Sequence, residues 1–403
     1  MLIYRRNKDF VFDFLLIMKI LMYSENFGGP TTTFIQNDLT DLAKKHTVKY
    51  LCSAIDPTGT FKYKDVDVVA YSKSRITRKI RWILERNGWY LTNRDRDFAN
   101  GVNKIIAEFK PDVIQCNFGI EALRLTDNLN NANRRIPLVI NFLGYDASEQ
   151  LTRRSYVRKL IALTKQPSVF ATCNTVFLRK NLEAKNVFFR HNKIIHTGVN
   201  LVFFDRKGVY PDHKEFIFLQ IASFSYRKGQ EIAIRAFKLF LDSVADPERF
   251  KLIFAGGDDD NTCAEMRKLP SLLAIQDHVE FRDWLTPTES KELMIQANCF
   301  VQHSRTIHGR TEGIPTAVSE AMAMELPVLS TLHAGIPELV EDGVNGFLVA
   351  ENDIDALAKR MKDIQSFGYL KKNREKIENE FNLGKRTEVF EQYYNEILSG
   401  ALA

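Results

Sequence analysis

The sequence is poor in the residues that build disulfide frameworks and flexible linkers. Its five cysteines are an odd number, they are widely spaced, and no two of them form a CxxC pair. This pattern excludes a disulfide scaffold and a cysteine-rich zinc site, and we expect buried free thiols in a cytoplasmic protein. With only 20 glycines and 12 prolines among 403 residues, and 45% hydrophobic residues, the composition is typical of two or three globular domains.

Long hydrophobic runs are also missing. Nowhere does the sequence reach the ~18 uninterrupted apolar residues of a membrane-spanning helix. The amino terminus, MLIYRRNKDFVFDFLLIMKILMY, has basic residues before apolar ones like a signal peptide, but Asp13 and Lys19 interrupt the apolar run and no small-residue cleavage site follows. We therefore expect the first domain to begin at Met18, with residues 1–17 as an extension that activity does not need.

Charge is distributed unevenly along the chain. Residues 1–200 contain 32 Lys and Arg against 18 Asp and Glu, a net charge of +14, whereas the remaining residues carry a net charge of −8. Two segments of the basic half, Lys73–Arg86 and Leu151–Lys165, mix cations with apolar residues at roughly helical spacing. Such segments suit an anionic membrane surface, and a solvated helix face is the alternative for each. No nucleic-acid recognition motif accompanies the charge, so we expect no nucleic-acid partner.

Short apolar runs alternate with amphipathic helical patterns, which predicts parallel sheets covered by helices. The predicted fold class is α/β, with two Rossmann-like parallel-sheet domains facing a cleft, and ligands of such sheets bind beyond the carboxyl ends of the strands. The predicted domains are residues 18–205 and 206–377, followed by a helix in residues 378–403 that packs back on the domains. The apolar stripe of that helix consists of Phe381, Phe390, Tyr393, Tyr394 and Ile397.

The strongest local signal is the string TEGIPTAVSEAMAME, which begins at Thr311. Glu312 and Glu320 are separated by about two helical turns, and Pro315 suits the first position of a helix. A loop at Glu312–Ile314 is therefore predicted to enter a helix N-terminus, whose N–H groups and positive dipole end suit a diphosphate. The two carboxylates would accept hydrogen bonds from sugar hydroxyl groups. Spacing alone favours the alternative, an ordinary surface helix with two solvated glutamates.

Two further segments carry residues that suit a phosphate ligand. The string IASFSYRKGQ closes a strand and opens a helix, and its Arg227 and Lys228 are natural phosphate partners at a strand end. A solvated charge pair is an equal alternative. In SENFGGPTTT, Gly28 and Gly29 would let a backbone loop approach a ligand closely. This string is not GxGxxG, and a plain turn is the alternative.

Acidic and histidine-containing segments give weaker signals. Asp258–Asp260 could hold Mg²⁺ or Mn²⁺, but an acidic loop after a buried strand is the expected structure, and no metal site is predicted. His303 and His308 are expected to line the pocket, and His333 is expected to be structural or adjacent to phosphate.

In this order, the segments resemble glycosyltransferase family 4, which has the GT-B fold, and within it the branch that builds exopolysaccharides of the colanic-acid kind. The resemblance runs from about Met18 to about Met361 and is most specific over Phe300–Leu348. Its strings are FLGYDAS, KIIHTGVNLVFF, LIFAGG, VEFRDWL, FVQHS, TEGIPTAVSEAMAMELPVLST and HAGIPELVEDGVNGFL. The resemblance implies a retaining hexosyltransferase that uses a UDP- or GDP-sugar as co-substrate, with no cofactor and no metal.

The resemblance also implies roles for single residues. Glu312 would contact the hydroxyl groups of the donor sugar and Glu320 those of the ribose, while Lys228 would neutralise the donor diphosphate. Glu312 and Lys228 are thus the implied catalytic residues. The implied donor-binding residues are Gly28, Gly29, Arg227, Lys228, Glu312, Gly313, Ile314, Pro315, Thr316 and Glu320. Tyr145 and Asp146 lie on the implied acceptor side.

The implied acceptor is a polyprenyl-linked oligosaccharide at the inner face of the cell membrane, with residues 18–205 as the acceptor-side domain and 206–377 as the nucleotide-sugar-binding domain. The sequence departs from the family pattern at two places. Many relatives carry an arginine at the position of Ser223 or Ala222, and a histidine at the position of Leu143. These departures motivate one alternative function, a non-catalytic relative that binds a sugar nucleotide. The other alternative is a nucleotide-sugar epimerase of the same fold.

Overall fold

The computed structural model of the protein describes residues 17–29, 33–57, 61–70, 95–212, 214–258 and 261–402. The predicted extension up to residue 16, the basic segment Lys73–Arg86, and Asp259 and Asp260 lie outside the described residues. The chain divides into two compact units. The first comprises residues 1–174, 179–195 and 386–403, and the second comprises residues 175–178 and 196–385.

The first unit is built on a parallel sheet of seven strands. Its described strands in chain order are β1 Lys19–Tyr23, β2 Asn26–Phe27, β3 Thr47–Cys52, β4 Ala54–Ile55, β5 Val66–Val68, β6 Val113–Asn117, β7 Leu138–Phe142, β8 Val169–Cys173 and β9 Asn192–Ile194. The sheet order is β5-β3-β1-β6-β7-β8-β9, and β2 pairs separately with β4. Strands β6, β7 and β8 are buried at every position. Continuous burial of this kind is typical of parallel sheets with helices on both faces, and it explains the mainly apolar sequences of these strands.

The helices of the first unit begin and end where the sequence supplies local signals. The described ones are Thr33–Leu42, Arg96–Phe109, Gly119–Asn128 and Arg154–Leu163, together with most of Val176–Glu183 and Leu383–Leu398. The side chain of Asp95 accepts hydrogen bonds from the N–H groups of Asp97 and Phe98, which satisfies two donors of the first turn. Lys110 ends the same helix in the left-handed conformation.

The basic segment Leu151–Lys165 contains one of these helices. Tyr156, Leu160 and Leu163 point into the interior of the unit and are buried, whereas Arg154 and Arg158 are exposed. The apolar side of the helix is therefore used for core packing, and its exposed side is cationic.

The second unit contains a six-stranded parallel sheet. Its strands are β10 Phe216–Ile221, β11 Phe250–Ala255, β12 Val279–Arg282, β13 Cys299–Val301, β14 Val328–Thr331 and β15 Gly346–Val349. Its described helices are Gln230–Asp242, Cys263–Leu272, Pro287–Gln296, Thr316–Ala323, Ile336–Leu339, Ile354–Asp363 and Lys371–Glu380. The strand order is β12-β11-β10-β13-β14-β15, so the direction of the winding reverses between β10 and β13. The loops that follow these two strands meet at this topological switch point, which is where doubly wound sheets bind ligands.

Two apolar cores cover opposite faces of this second sheet. Ile217 and Leu219 of β10 contribute to one core, while Phe216 and Phe218 contribute to the other. This alternation is the period of two that a strand imposes on its side chains. Burial on both faces again accounts for the continuous apolar sequence of the strand.

The α/β class and the two Rossmann-like parallel sheets predicted from the sequence are confirmed. The main division along the chain falls between Ile195 and His196, earlier than the predicted boundary at residues 205 and 206. The reason is that Val199 and Phe204 are buried in the core of the second unit. Within the described part of the chain, no helix has both the length and the apolar character needed to cross a membrane.

The end of the chain differs from the single helix predicted in residues 378–403. One helix ends at Glu380, and a second begins at Leu383 after a break at Phe381 and Asn382. Phe381 is buried in the core of the second unit. The other four residues of the predicted stripe, Phe390, Tyr393, Tyr394 and Ile397, are buried in the core of the first unit. The stripe is therefore core packing, as expected, but it is divided between two cores.

Candidate functional site

The loop after β10 presents two cations. A short 3-10 turn, Tyr226–Lys228, leads through Gly229 into the helix Gln230–Asp242. Gly229 has a φ of 67°, and a Cβ atom at this position would lie 2.1 Å from the carbonyl oxygen of His303. Only glycine combines this conformation with such a close approach. The glycine thus holds Arg227 and Lys228 against the segment that follows β13.

The loop after β13 ends in a helix N-terminus. Gly313, Ile314 and Pro315 are buried, and the helix runs over Thr316–Ala323. Pro315 has a φ of −63° and a ψ of 122°, so it is the residue that caps the helix and not its first helical residue as predicted. No side chain caps this N-terminus. Its first N–H groups and the positive end of the helix dipole are therefore available to an anion.

The switch point brings Glu312 together with both cations. Lys228 Nζ donates a hydrogen bond of 3.0 Å to Glu312 Oε2, and Arg227 forms an ion pair with the same carboxylate. The side chains of Arg227, Lys228 and Glu312 are 15%, 14% and 10% exposed, so the group is largely shielded from water. Arg227 therefore points to the same place as Lys228, although Ser223 and Ala222 stand where many relatives of the resembled family carry an arginine.

His333 and Glu351 hold the backbone of Glu312. The N–H group of Glu312 donates a hydrogen bond of 3.1 Å to His333 Nε2, and His333 Nδ1 lies 2.7 Å from Glu351 Oε1. Burial lowers the pKa of His333, and the nearby cations Lys228 and Arg227 act in the same direction. Glu351 also accepts a 2.8 Å hydrogen bond from the N–H group of Thr306. His333 was expected to be structural or adjacent to phosphate, whereas no sequence motif pointed to Glu351.

Arg305 is a second residue that the sequence motifs did not indicate. Its N–H group donates to the carbonyl oxygen of Arg227 at 3.0 Å, and its Nε donates to the carbonyl oxygen of Tyr226 at 2.7 Å. Its guanidinium also donates to Asn352 Oδ1 at 2.8 Å and forms an ion pair with Glu231. One side chain therefore ties the Arg227 loop to the first turn of a helix and to the segment after β15.

The other histidines named from the sequence lie in different surroundings. His303 is fully buried, and its Nε2 accepts a 2.9 Å hydrogen bond from the N–H group of Asn352. Burial lowers the pKa of His303 to about 4, so the ring is neutral near pH 7. His308 is exposed and has a φ of 50° in a turn that it shares with Gly309.

Glu320 lies on the helix Thr316–Ala323, as predicted, and is partly buried. Burial raises the pKa of its carboxyl group from 4.5 to about 7. Among the hydrogen bonds within the described ranges, none is made by this carboxyl group. The Glu320 carboxyl group can therefore accept hydrogen bonds from a ligand, and no hydrogen bond within the described ranges stabilises its ionised form.

The predicted donor-binding glycines, Gly28 and Gly29, belong to the first unit. Gly28 has a φ of 85°, and the carbonyl oxygen of Gly29 accepts a 2.9 Å hydrogen bond from Gln36. The short strand Asn26–Phe27 precedes the two glycines, so part of the predicted loop is paired backbone. The three residues that follow Gly29 lie outside the described ranges.

Asp146 is a buried residue that stabilises backbone. Its carboxylate accepts hydrogen bonds from the N–H groups of Gly119 at 2.8 Å, Gly144 at 3.0 Å and Leu143 at 3.2 Å. Burial raises its pKa, while these hydrogen bonds lower it in part. Tyr145 is half-buried, and Leu143 packs in the core of the unit. The structure thus gives Asp146 a structural role, and contact of Tyr145 and Asp146 with an acceptor stays a prediction.

Asp258, the described member of the acidic triplet, also binds backbone. Its Oδ1 accepts hydrogen bonds from the N–H groups of Thr262 at 2.9 Å and Cys263 at 3.3 Å. The carboxylate therefore closes the loop before the helix Cys263–Leu272. Over the ranges that the structure describes, no group of three His, Cys, Asp or Glu side chains is arranged to hold a metal ion.

Comparison with known proteins finds similarity to glycosyltransferases. Residues 203–381 match the family model of glycosyl transferases group 1. The putative colanic acid biosynthesis glycosyltransferase WcaL of Escherichia coli is 28% identical over 345 residues, which are 81% of this chain and 81% of that protein. The amylovoran biosynthesis glycosyltransferase AmsK of Erwinia amylovora is 34% identical over 147 residues, 36% of this chain and 35% of that protein.

A solved structure shares the fold over nearly the whole chain. The crystal structure of Anabaena HepE in complex with UDP and glucose superposes with a TM-score of 0.73 at 17% identity, covering 94% of this chain and 99% of that one. The switch-point group of Arg227, Lys228 and Glu312 lies within the segment that the family model matches. Residues 203–381 of this chain are therefore similar to glycosyl transferases group 1.

Proposed function

We propose that the protein is a retaining glycosyltransferase that moves a sugar from a UDP- or GDP-sugar to a polyprenyl-linked oligosaccharide in cell-surface polysaccharide synthesis. The names of WcaL and AmsK, which refer to colanic acid and amylovoran biosynthesis, support the product class. HepE was crystallised with UDP and glucose, which supports a nucleotide sugar as donor.

One observation carries the proposal for the donor site. Two cations, Arg227 and Lys228, share the carboxylate of Glu312 at the switch point, directly before an uncapped helix N-terminus. Cations and a helix N-terminus that converge on one place are the partners a diphosphate requires. A diphosphate bound there would compete with Glu312 for the two cations, and the carboxylate would then accept hydrogen bonds from sugar hydroxyl groups.

The chemistry assigned to the site is group transfer without a protein nucleophile. The bond between the anomeric carbon and a diphosphate oxygen breaks, and a bond from that carbon to an acceptor hydroxyl oxygen forms on the same face. The leaving diphosphate takes the electron pair, so negative charge develops on its oxygens, and one of those oxygens then accepts the proton of the acceptor hydroxyl. Lys228 and Arg227 stabilise that charge in a largely shielded site, where electrostatic stabilisation is most effective.

Glu320 is assigned to the ribose of the donor. It lies on the helix whose N-terminus follows the Glu312 loop, and its carboxyl group makes no hydrogen bond to the described protein. Ribose hydroxyl groups would donate to it and favour its ionised form. Gly313, Ile314, Pro315 and Thr316 are assigned to backbone contacts with sugar and phosphate.

The acceptor and the location are proposed from charge. Arg154 and Arg158 of the first unit are exposed on the cationic side of their helix. An anionic lipid headgroup or a lipid-linked diphosphate would bind such a surface by electrostatic attraction. A peripheral position at the inner face of the cell membrane follows from this assignment.

The proposed function is tested by binding and transfer together. A thermal-shift panel of UDP-, GDP- and ADP-sugars identifies the donor, because a ligand at 100 times its Kd stabilises the protein by about 2.7 kcal/mol. Transfer of labelled sugar from that donor to extracted polyprenyl-linked saccharide is then measured, and the anomeric configuration of the product is read by NMR. Lys228→Ala and Glu312→Ala should each abolish transfer while the protein stays folded.

Four results would contradict this proposal. Unchanged turnover in Lys228→Ala or Glu312→Ala would remove the assigned site. Inverted configuration in the product would exclude a retaining reaction. Free epimerised sugar nucleotide without transfer would favour the epimerase, and nucleotide binding without any transfer would favour the non-catalytic relative.

A further inference from the structure

We propose that His333 is a positioning residue for the donor sugar: Glu351 holds its ring, and its Nε2 atom fixes the backbone of Glu312 so that the carboxylate meets the sugar and not the phosphate. This inference rests on the proposed function, because it assigns Glu312 to the sugar.

The hydrogen bonds define the protonation state of the ring. The N–H group of Glu312 is a donor, so His333 Nε2, 3.1 Å away, accepts with its lone pair. The proton of a neutral ring is then on Nδ1, which donates to Glu351 Oε1 at 2.7 Å. Glu351 in turn is held by the N–H and hydroxyl groups of Thr306 at 2.8 and 3.2 Å. The three segments that follow β13, β14 and β15 are thereby linked through one ring.

The surroundings of His333 oppose a positive charge on it. The residue is 1% exposed, and Arg227 and Lys228 face it from the loop after β10. His303 faces it from the end of β13, and Glu351 is the acidic group that faces it from the segment after β15. A protonated ring would present a second donor to the Glu312 N–H group, and the hydrogen bond would be lost.

The position of the hydrogen bond explains why the effect should be confined to the sugar. His333 contacts the backbone of Glu312, and Gly335 donates to the carbonyl oxygen of Gly313 at 3.2 Å. Both contacts fix the loop that precedes the helix N-terminus. The backbone of Lys228 is held separately in the turn after β10, since its N–H group donates to the carbonyl oxygen of Ser225 and its carbonyl oxygen accepts from Gln220, both at 2.9 Å. Loss of the ring should therefore displace the Glu312 carboxylate and leave the diphosphate partners in place.

The experiment compares sugar-nucleotide binding with nucleotide binding in three variants. Calorimetry measures the Kd values of UDP, UDP-glucose, GDP and GDP-mannose for the full chain, for His333→Phe, for His333→Gln and for the control His278→Gln. His278 contacts the carbonyl oxygen of Phe250 near the opposite edge of the sheet. His333→Phe should raise the Kd of whichever sugar nucleotide the protein binds by about tenfold, equal to about 1.4 kcal/mol. Binding of the bare nucleoside diphosphate should stay unchanged.

His333→Gln tests the same point by conservation of the acceptor. Its side-chain oxygen reaches about as far as Nε2, so we expect sugar-nucleotide affinity to return to within about threefold of the natural protein. Because this variant keeps a polar partner for both Glu312 and Glu351, it can be measured even if His333→Phe does not fold. Equal weakening of nucleotide and sugar nucleotide in the folded variants would show a merely structural role and overturn the proposal, as would unchanged sugar-nucleotide binding.

A spectroscopic measurement tests the tautomer without any ligand. In protein labelled with ¹⁵N-histidine, the His333 signals are those absent from His333→Gln, and their shifts should show a protonated Nδ1 and an unprotonated Nε2 at pH 7.5. The opposite tautomer would overturn the proposal. If the natural protein binds neither nucleotide, the proposed function fails, and the labelled-histidine result still decides how His333 is bonded.

Discussion

Glu320→Gln should stabilise the protein at alkaline pH and leave its stability unchanged at acidic pH. Burial raises the pKa of Glu320 from 4.5 to about 7 in the folded chain. Because the folded pKa lies above the unfolded one, protonated Glu320 contributes stability that is fully present below about pH 4.5. That contribution is lost as the pH rises through about 7. Glutamine has a neutral side chain at every pH, so Glu320→Gln does not lose this contribution to stability.

The size of the effect follows from the two pKa values. The difference between 4.5 and about 7 corresponds to about 3–4 kcal/mol at ~1.4 kcal/mol for each pKa unit. Glu320 is partly exposed, so solvent screening makes this figure an upper bound. We expect Glu320→Gln to gain about 1–3 kcal/mol over the natural protein at pH 8, and close to nothing at pH 4.5.

Urea unfolding at several pH values between 4.5 and 8 measures this difference. Glu292→Gln, a change at an exposed glutamate of the same unit, is the matched control, and its difference from the natural protein should not vary with pH in this way. A pH-independent difference for Glu320→Gln would refute the reasoning.

Nucleotide binding adds a second test. If ribose hydroxyl groups donate to Glu320, UDP or GDP should bind more tightly as the pH rises from 6 to 8, with release of protons, and Glu320→Gln should lose that dependence.

Three other substitutions test the fold and the site. Gly229→Ala should lower the free energy of unfolding by more than the ~1–2 kcal/mol that a left-handed alanine costs, because its Cβ atom would overlap the carbonyl oxygen of His303. The control Gly208→Ala (φ 72°, no atom within 4 Å of the added Cβ) should lower it by the backbone cost alone, and chemical unfolding measures both changes. Arg386→Met should destabilise the protein by about 3–5 kcal/mol, because it leaves Asp38, the buried ion-pair partner of Arg386 at 2.7 Å, as an uncompensated charge. A second change, Asp38→Leu, should recover most of the lost stability. Glu312→Gln should tighten binding of bare UDP or GDP in calorimetry, because the competing carboxylate is gone, while transfer falls; weaker nucleotide binding would contradict the assigned competition.

Most of the fold could be predicted because its strands are buried on both faces. Leu138–Phe142 and Phe216–Ile221 are apolar at nearly every position, because both faces of these strands are covered, and such short apolar runs are visible in the sequence. The break at Phe381 and Asn382 could not be predicted, because an apolar stripe at helical spacing does not reveal that its members belong to two different cores.

The candidate site was predictable only where the chain order determines it. Arg227 and Lys228 follow one strand of the switch point and Glu312 follows the other, so the topology alone brings them to the same edge of the sheet. Glu351 and Arg305 act through hydrogen bonds between loops. Those contacts depend on loop conformations, such as the left-handed Gly229, that one sequence does not specify.

The charges at the site explain how an acidic half of the chain can hold an anionic donor. The sequence after residue 200 carries a net charge of −8, so bulk charge does not attract a diphosphate to it. Buried cations without partners would destabilise the fold, and Glu312 supplies the partner. Burial raises the pKa of Glu320, on the helix that begins at the site, to about 7, so this carboxyl group carries only part of a negative charge near pH 7 until hydroxyl groups bind it. Local geometry therefore gives the site a positive potential that net charge would not predict.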